Sequence, residues 1–403
     1  MRHLVPARQS LPEKDPIFAL NAEATRRRQA GERIVNATLG ALTNDDGSLA
    51  ILPSVARTLR EVPAAESAAY APIAGQPQFL AAVIGDLFRG HDALAEGAVA
   101  ASTPGGTGAL RIALMNYLEH GQSALAARYF WGPYRTLCDE HERTLSTFEM
   151  FDARGGLNVD ALESSGRALI ERQGRLLLLL NDPCNNPTGY SMSLDEWRAV
   201  AGALERLGER APVTLLVDMA YWMYGAAADH RAFLSALEPL LGKVGLLFAW
   251  SASKTFTHYG LRVGALVACA GDEEARAATS AALAYSCRGT WSNCNRGGLF
   301  AVTRHLIEAA LAAESDRERD GFKALLQRRV AAFNAAAASH HLRIPRYEGG
   351  FFVTVFHDQA EEKAAAMREE GVFVVPQKGA LRVALCSTAE ADIPKLVDAL
   401  ADE

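Results

Sequence analysis

Short apolar runs alternate with amphipathic stretches through the middle of the chain. Residues 175–180, 213–217 and 244–249 are nearly continuous apolar runs, which is typical of strands buried on both faces of a parallel sheet. Leu194–Gly208 has the apolar spacing of a helix, as do residues 104–119 after a glycine-rich start. Strands separated by helices in this way predict βαβ units, and therefore an α/β fold with a parallel sheet.

The two ends of the chain have a different pattern. Residues 18–30 predict a helix followed by Gly31, where a C-cap glycine is expected. The charged, Ala-rich stretch 303–336 predicts one long helix. Three short apolar runs around a further helical segment predict strands of a second, smaller α+β domain; they are residues 351–356, 372–375 and 381–385.

These patterns predict three parts of the chain. Residues 1–16 are polar and contain prolines, so we expect an N-terminal arm there. The large α/β domain is expected over residues 46–304. The small domain is expected to combine residues 17–45 with residues 305–403.

Composition excludes several classes of protein. The 403 residues carry a net charge of −6 and are 49% apolar, which is typical of a soluble globular protein without a nucleic-acid or anionic-membrane partner. The six cysteines form no C-x-x-C pair, so we expect reduced thiols, a cytoplasmic location and no metal site. The N-terminal segment lacks the apolar core of a signal peptide, and no apolar run approaches the roughly 20 residues of a membrane span.

Polar residues follow three of the predicted strands directly. Asn181 opens the string N-D-P-C-N-N-P-T-G after the first strand, Asp218 and Tyr221 follow the second, and Ser251 and Lys254 follow the third. Ligands of a parallel α/β sheet bind outside the carboxyl ends of its strands. The sequence therefore predicts a site that combines an amide, a carboxylate with a phenol, and an amine with hydroxyl groups.

Lys254 is the first candidate for covalent chemistry. A desolvated lysine can have a lowered pKa and can attack a carbonyl carbon to form a Schiff base. For a lone lysine, a surface position in a loop is the commoner explanation. The string around Lys254 is what favours a chemical role.

Asp218 is the second candidate because it ends an otherwise apolar run. A buried carboxylate is costly unless a cation accompanies it. A protonated pyridine nitrogen is such a cation, and pyridoxal phosphate needs that protonation to act as an electron sink. The alternative is an aspartate that caps a helix.

Two further features favour anion binding. The string G-G-T-G from Gly105 opens a helix, where backbone N–H groups and the helix dipole attract a phosphate, although a plain glycine turn has the same composition. The string matches neither the dinucleotide fingerprint nor the P-loop. Arg262 and Arg382 have guanidinium groups that match phosphate or carboxylate; a surface salt bridge is the alternative for each.

Taken together, these strings resemble the class I and II pyridoxal-phosphate aminotransferases of fold type I, nearest their aspartate and aromatic amino-acid branch. The string S-A-S-K that ends at Lys254, with Gly260, Arg262 and Gly264 after it, is similar to the family signature S-x-S-K-x-x-x-x-x-G-x-R-x-G. Three more family strings follow the family's order; they begin at Gly105, Asn186 and Asp218. The resemblance implies a large domain with a mostly parallel seven-stranded sheet between helices, and a smaller α+β domain.

The resemblance also implies a role for each site residue. Lys254, Asp218 and Tyr221 would be catalytic: Lys254 forms the Schiff base and later moves a proton, and Asp218 pairs with the pyridine nitrogen. Asn186 and Tyr221 would contact the ring O3′, and Trp131 would stack on the ring. The implied phosphate contacts are Gly105, Gly106, Thr107, Ser251, Arg262 and, from the other subunit of a homodimer, Tyr70.

The substrate residues follow from the same resemblance. Arg382 would bind the substrate α-carboxylate, with Gly40 and Asn186 nearby. Arg288 opens a string similar to the one whose arginine crosses the dimer interface to bind a dicarboxylate side chain. We therefore expect ping-pong transfer between a 2-oxo acid such as 2-oxoglutarate and aspartate, glutamate or an aromatic amino acid.

Five positions depart from the pattern of the family or of its aspartate branch. The string Cys294-Asn295 replaces the usual Pro-Pro, and Gly105 replaces the usual serine. Tyr134 and Asn181 stand where the aspartate branch has histidines.

Three other functions are compatible with parts of this sequence. A β-lyase, decarboxylase or synthase on the same fold can share every cofactor residue, because fold does not determine reaction. A pyridoxal-phosphate-binding regulator would need an attached DNA-binding module, for which the segment before Phe18 is too short. A catalytically inactive homologue is disfavoured because the lysine, aspartate and arginines are all present.

Overall fold

The computed structural model describes residues 3–5, 8–9 and 16–401. The expected N-terminal arm, residues 1–16, therefore lies mostly outside the described residues. Within the described part of the chain there are twelve strands and sixteen α-helices, with short 3₁₀ turns between some of them.

The elements are numbered in chain order. The strands are β1 (Val35–Asn36), β2 (Ala98–Thr103), β3 (Ser123–Ala127), β4 (Thr144–Phe148), β5 (Leu176–Asn181), β6 (Val213–Asp218), β7 (Gly245–Ser251), β8 (Gly264–Cys269), β9 (Phe352–Phe356), β10 (Val372–Phe373), β11 (Val375–Gln377) and β12 (Ala380–Ala384). The helices are α1 (Pro16–Gln29), α2 (Pro53–Arg60), α3 (Ala64–Ala68), α4 (Pro77–Leu87), α5 (Asp92–Glu96), α6 (Gly105–Tyr117), α7 (Pro133–Glu140), α8 (Val159–Gln173), α9 (Leu194–Gly208), α10 (Leu234–Leu237), α11 (Ala252–Thr255), α12 (Glu273–Thr290), α13 (Arg296–Ile307), α14 (Ala309–Ser339), α15 (Ala360–Glu369) and α16 (Ile393–Leu400). The 3₁₀ turns are Trp222–Tyr224, Glu238–Leu240, Tyr259–Leu261, Leu385–Ser387 and Glu390–Asp392.

The chain divides into two compact units. The large unit comprises Ala50–Gln327 and Arg346–Gly350. The small unit comprises Met1–Leu49, Arg328–Pro345 and Phe351–Glu403. The domain limits expected from the sequence, 46–304 for the large domain and 17–45 with 305–403 for the small one, stay a proposal.

The large unit is built on a seven-stranded sheet with the order β2-β8-β7-β6-β5-β3-β4. The strands from β7 to β4 pair in parallel, and β8 runs antiparallel to both β7 and β2. The expected mostly parallel seven-stranded sheet is therefore confirmed.

Both faces of this sheet are buried, which explains the continuous apolar runs in the sequence. Successive side chains of a strand point to opposite faces. Along β5, Leu176, Leu178 and Leu180 belong to one apolar cluster, and Leu177 and Leu179 belong to another. Helices contribute to both clusters: α9 packs in the first and α6 in the second.

The small unit contains an antiparallel sheet with the order β11-β12-β9 and a two-stranded parallel pair of β1 with β10. Strand β11 carries Pro376, which has no N–H to donate, and it lies at the edge of its sheet, where proline is tolerated. The apolar side of α16 is buried in this unit. The α+β character expected for the small domain is confirmed.

Two element predictions are wrong in detail. The single helix expected over 303–336 is interrupted, because Glu308 has an extended backbone that ends α13 before α14 begins. No proline or glycine marks this break in the sequence. The single strand expected over 372–375 is two strands, β10 and β11, which pair with different partners in different sheets.

Neither a membrane-crossing helix nor a metal cluster occurs among the described residues. Over residues 3–5, 8–9 and 16–401, no helix combines the length and apolar character needed to cross a bilayer. The same residues contain no group of three or more His, Cys, Asp or Glu side chains arranged to hold a metal ion.

Candidate active site

Strand pairing brings the three polar strand ends to one edge of the large unit's sheet. Asn181 at the end of β5 pairs with Asp218 at the end of β6. Strand β7 pairs with β6 up to Asp218 and ends at Ser251. The short helix α11 follows at once and carries Lys254. The amide, the carboxylate and the amine therefore come from three adjacent strands.

Strand β8 brings the glycine-rich motifs to the same edge because it runs in the opposite direction. Its first residue, Gly264, pairs with Ser251 of β7 and with Thr103 at the end of β2. A Cβ atom on Gly264 would lie 2.6 Å from the carbonyl carbon of Gly105. Glycine at position 264 therefore allows the start of α6 to approach the sheet closely.

An open cavity lies at this edge of the large unit. All the residues predicted to contact the cofactor line this cavity except Gly105 and Tyr70. The complete lining is Gly106, Thr107, Leu110, Trp131, Asn181, Asn186, Asp218, Ala220, Tyr221, Ser251, Ser253, Lys254 and Arg262.

Asp218 is a buried carboxylate held by uncharged hydrogen-bond donors. The Tyr134 hydroxyl donates to Oδ2 at 2.8 Å, and the backbone N–H of Ala220 donates to Oδ1 at 3.1 Å. Burial raises the pKa of Asp218, and these two hydrogen bonds and the charge of Lys254 oppose that rise. A cation in the cavity would therefore stabilise the ionised carboxylate.

Lys254 and Tyr221 lie together in the cavity wall. Lys254 is partly buried, and its Nζ atom lies 5.2 Å from the centre of the Tyr221 ring. The Tyr221 hydroxyl oxygen accepts a hydrogen bond from Nδ2 of Asn186 at 3.4 Å. An amine, a phenol and an amide are thus available to a ligand at one place.

Tyr134 and Asn181 support the predicted site. The sequence pattern places Asn181 at a strand end of the site but predicts no hydrogen-bond partner for it or for Tyr134. Asn181 donates from Nδ2 to the backbone oxygen of Asp218 at 2.8 Å, and its Oδ1 accepts from the backbone N–H of Asn186 at 2.6 Å. It therefore joins two of the strand ends. The sequence does mark Tyr134 and Asn181, because both depart from the aspartate-branch pattern. Their hydrogen-bond partners lie on separate elements and are visible only in the structure.

A second group of lining residues is rich in hydrogen-bond donors. Gly106 and Thr107 belong to the first turn of α6, where backbone N–H groups lack partners within the helix. Arg262 donates from Nη1 to the Ser253 hydroxyl at 3.1 Å and from Nη2 to the Pro104 oxygen at 3.0 Å. Burial lowers the pKa of Arg262, so an anion in the cavity would stabilise its charge.

Gly105 is buried but does not line the cavity. Its φ of +72° lies in the left-handed region, and a Cβ atom there would lie 2.4 Å from Nη2 of Arg262. Both facts favour glycine over the serine usual in the family, because a side chain would displace the guanidinium group. The contact predicted between Gly105 and a phosphate stays a prediction.

Tyr70 and Arg288 belong to the large unit but do not line the cavity. Tyr70 is 86% exposed, and its backbone oxygen accepts a hydrogen bond from Arg296 at 3.0 Å. Arg288 lies near the end of α12 and donates to the Ser292 hydroxyl at 2.7 Å. The contacts predicted for Tyr70 and Arg288 across a dimer interface stay predictions.

Gly40 and Arg382 belong to the small unit, where both lie against one aromatic ring. The guanidinium carbon of Arg382 is 4.7 Å from the centre of the Phe352 ring. A Cβ atom on Gly40 would lie 2.6 Å from the Phe352 ring. Arg382 is buried and donates to the backbone oxygen of Thr38. Their predicted contact with a substrate carboxylate also stays a prediction.

The chemistry of the cavity fits pyridoxal phosphate. An amine suits the aldehyde, a buried carboxylate suits a protonated ring nitrogen, and the donors around Arg262 suit a phosphate. The residues that supply these three functions come from separate elements of one unit. This combination is more specific than any one of the three motifs.

Asp182, next to Asn181, gives a prediction about stability. Its carboxylate is buried and accepts from the backbone N–H of Met192 at 2.8 Å and from the Trp197 indole at 3.1 Å. Burial raises the pKa of Asp182 to about 7, well above the roughly 3.9 of an unfolded chain. The stabilisation from this group is therefore complete below about pH 4 and is lost as the pH rises through 7, by up to about 4 kcal/mol.

Asp182→Asn should remove this pH dependence, since an amide does not ionise. We expect the melting temperature of the cofactor-free protein to fall more between pH 5 and pH 8 in the parent chain than in the variant. Comparing the two proteins cancels the contribution of other buried acids. If the melting temperature fell equally between pH 5 and pH 8 in both proteins, Asp182 would not titrate in this range.

Comparison with known proteins agrees with this geometry. The sequence model of the family "Aminotransferase class I and II" matches residues 32–400. An aromatic-amino-acid aminotransferase of Pseudomonas aeruginosa is 30% identical over 302 residues, which cover 72% of each chain.

Solved structures give the same result. An aminotransferase from Anaerococcus prevotii superposes with a TM-score of 0.92 at 34% identity, covering 99% of this chain and 98% of that chain. An aromatic-amino-acid aminotransferase from Burkholderia pseudomallei, solved covalently bound to pyridoxal phosphate, superposes with a TM-score of 0.80 at 25% identity, covering 98% of both chains. The expected fold type is therefore confirmed.

Proposed function

The chain belongs to the class I and II aminotransferases, pyridoxal-phosphate enzymes that move an amino group between an amino acid and a 2-oxo acid, and we propose how its residues divide this work. The observation that carries the proposal is the cavity in which Lys254, Asp218 and Arg262 meet. An amine, a carboxylate and an anion-binding cation in one cavity match the aldehyde, ring nitrogen and phosphate of one cofactor.

Lys254 is proposed as the residue that binds the cofactor covalently and moves the proton of the substrate. When bound, the cofactor supplies an electron sink for the bonds at the substrate Cα. The Lys254 amine, once displaced by the substrate amine, takes the Cα proton as a general base and later returns it as a general acid. Its partly buried position beside Tyr221 supports this role because the amine is held at the cavity wall.

Asp218, Tyr221, Asn186 and Trp131 are proposed to hold the cofactor ring. Asp218 keeps the ring nitrogen protonated, which its burial and its hydrogen bonds from neutral donors support. Tyr221 and Asn186 donate to the ring hydroxyl oxygen. The hydrogen bond between their side chains supports this assignment, because it keeps the two donors next to each other. Trp131 covers one face of the ring.

The phosphate is proposed to bind the start of α6 and the arginine after β7. The donors are the N–H groups of Gly105, Gly106 and Thr107, the Ser251 hydroxyl, and Arg262. We further propose that Tyr70 of a second copy completes this site in a homodimer. The 86% exposure of Tyr70, an aromatic side chain, supports a partner surface at this position.

Substrate recognition is proposed to involve two arginines, one asparagine and one glycine. Arg382 is proposed to bind the α-carboxylate as a bidentate partner, with Gly40 and Asn186 nearby. This contact would fix the Cα–H bond in the orientation that the Lys254 amine requires. Arg288 of the partner subunit is proposed to bind a second carboxylate, which favours aspartate, glutamate and 2-oxoglutarate.

Aromatic amino acids are proposed as a second class of donor. Relatives of this chain include aromatic-amino-acid aminotransferases and an aspartate aminotransferase of Pseudomonas aeruginosa that is 29% identical over 336 residues. One adaptable pocket that contains an arginine could accept both aromatic and dicarboxylic amino acids. A cytoplasmic location is also proposed, and a cytoplasmic aspartate aminotransferase of Schizosaccharomyces pombe that is 27% identical over 314 residues supports it.

Arg288→Ala tests the substrate assignment. We expect kcat/KM for aspartate to fall by roughly a hundredfold while that for phenylalanine changes less than about threefold, since a charge-assisted hydrogen bond contributes about 1.5–3 kcal/mol. Arg276→Ala, on the same helix, is the matched control. Equal losses for aspartate and phenylalanine would remove Arg288 from the pocket.

A single half-reaction separates amino transfer from the rival chemistries. The holoenzyme mixed with glutamate and no acceptor should form one equivalent of 2-oxoglutarate per site without releasing ammonia or carbon dioxide. A β-lyase would instead release ammonia from a suitable substrate continuously, and a decarboxylase would release carbon dioxide. Continuous release of either product as the main reaction would contradict the proposed division of roles.

A further inference from the structure

Helix α11, which carries Lys254, is only one turn long. Such a short helix has no stability of its own, because forming the first turn fixes several residues for one hydrogen bond. Its N-cap is Ser251, whose hydroxyl accepts from the backbone N–H of Ser253 at 3.2 Å. The position of Lys254 must therefore depend on contacts from other elements.

Two side chains from other parts of the large unit bind consecutive carbonyl oxygens of this turn. The Tyr224 hydroxyl donates to the backbone oxygen of Lys254 at 3.1 Å. Arg319, which is buried in α14, donates from Nη1 to the backbone oxygen of Thr255 at 3.2 Å. These two bonds fasten the turn at its carboxyl end.

Tyr224 and Tyr221 contact opposite ends of the same lysine. The two residues are three positions apart, and the backbone N–H of Tyr224 donates to the oxygen of Tyr221 at 2.8 Å. Tyr221 is the N-cap of the 3₁₀ turn Trp222–Tyr224, so one short segment carries both phenols. Tyr221 lies beside the amine of Lys254, and Tyr224 holds its carbonyl group.

We propose that Tyr224 is a positioning residue that sets where the Lys254 amine lies relative to Asp218. This inference rests on the proposed role of Lys254 as the residue that binds the cofactor and moves the proton. Tyr224 is 3% exposed, does not line the cofactor cavity and donates to the backbone oxygen of Lys254, so its proposed action is through Lys254. Tyr221 and Tyr224 follow shortly after β6, the strand that ends at Asp218. The same strand therefore positions the Asp218 carboxylate and the two tyrosines that contact Lys254.

The physical consequence concerns the rate rather than substrate binding. A lysine that must take a proton from one atom and return it to another depends on its distance to both. Displacements of about 1 Å can lower such rates by up to about 10²-fold. Loss of one of the two side-chain bonds to this turn should have a smaller effect, so we expect kcat to fall about tenfold with KM changing less than about twofold.

Tyr224→Phe tests the proposal, because it removes the hydroxyl and retains the ring. Tyr347→Phe is the matched control, since Tyr347 is also buried and donates to a backbone oxygen, that of Gly350, at 3.0 Å. Three quantities are measured for both variants and the parent: kcat and KM separately, the rate at which added pyridoxal phosphate becomes covalently bound to cofactor-free protein, and the melting temperature.

The expected result is a slower kcat and slower covalent incorporation of pyridoxal phosphate in Tyr224→Phe only, with melting temperatures alike in the two variants. Equal kinetics in Tyr224→Phe, Tyr347→Phe and the parent would overturn the positioning role. Losses that are equal in both variants and follow their melting temperatures would overturn it too, because they would report general destabilisation. Lys254→Ala run in parallel separates the two proposals: normal turnover in that variant would reject the role of Lys254 itself.

Discussion

Lys254→Ala is expected to abolish covalent binding of pyridoxal phosphate and to lower turnover by at least roughly 10⁴-fold. The variant loses both the amine that binds the cofactor and the base that moves the proton, and proton transfer by a positioned side chain alone contributes about 10²–10⁴-fold. The cavity, the Asp218 carboxylate and the donors around Arg262 remain in the variant. Pyridoxal phosphate should therefore still bind, but reversibly.

Two measurements check this expectation. The absorbance of the protein after dialysis against buffer reports covalent retention, and single-turnover kinetics with glutamate report the chemical step. Lys243→Ala is the matched control, because Lys243 is an exposed lysine of the same unit that pairs with Glu205. A Lys254→Ala protein that retained the cofactor through dialysis and turned over normally would reject the assignment.

Asp218→Asn is expected to lower kcat by roughly a thousandfold. A carboxylate about 4 Å from a ring cation is worth about 4 kcal/mol at an effective dielectric of 20, and about 1.4 kcal/mol corresponds to a tenfold change in rate. An amide keeps the size of the side chain and can still accept a hydrogen bond from Tyr134, so the loss isolates the charge. We expect KM to change far less than kcat, because substrate binds through other residues.

The control for Asp218→Asn is Asp182→Asn. Asp182 is also buried at the end of a neighbouring strand and also accepts from neutral donors, but it does not line the cofactor cavity. We expect its replacement to change stability at high pH and to change kcat by well under tenfold. Equal losses of kcat in the two variants would mean that any buried aspartate at this edge matters, and that Asp218 has no special relation to the ring.

The sequence predicts the sheet well because burial on both faces leaves a direct record in the chain. Strands β5, β6 and β7 are buried along nearly all of their length, and each ends at a polar residue of the cavity. Since carboxyl ends of adjacent parallel strands meet at one edge, the meeting of Asn181, Asp218 and Lys254 follows from the pattern. Strand β8 is harder to predict, because an antiparallel strand in such a sheet has the same apolar composition.

Other features are not recorded in the local sequence. The interruption at Glu308 has no proline or glycine, and the division between β10 and β11 depends on which sheet each segment pairs with. The bonds from Tyr134 to Asp218 and from Tyr224 to Lys254 join residues 84 and 30 positions apart. Tyrosine is common in buried positions, so neither composition nor spacing identifies these partners.

Gly105 illustrates how a departure from a family pattern can be explained by structure. The usual serine would add a side chain where Arg262 lies, and it would have to adopt a left-handed backbone. Glycine at position 105 therefore lets the start of α6 lie directly against Arg262, at the place proposed for the phosphate. Tyr70, Arg288, Gly40 and Arg382 stay predictions, because their proposed partners are a second subunit or a substrate.

The most direct test of the central claim identifies the lysine that binds the cofactor. The holoenzyme is reduced with borohydride, digested, and analysed by mass spectrometry for the peptide that carries the pyridoxyl phosphate group. The account predicts the group on Lys254 at about one per chain. A group found on any other lysine, or no stable group at all, would contradict it.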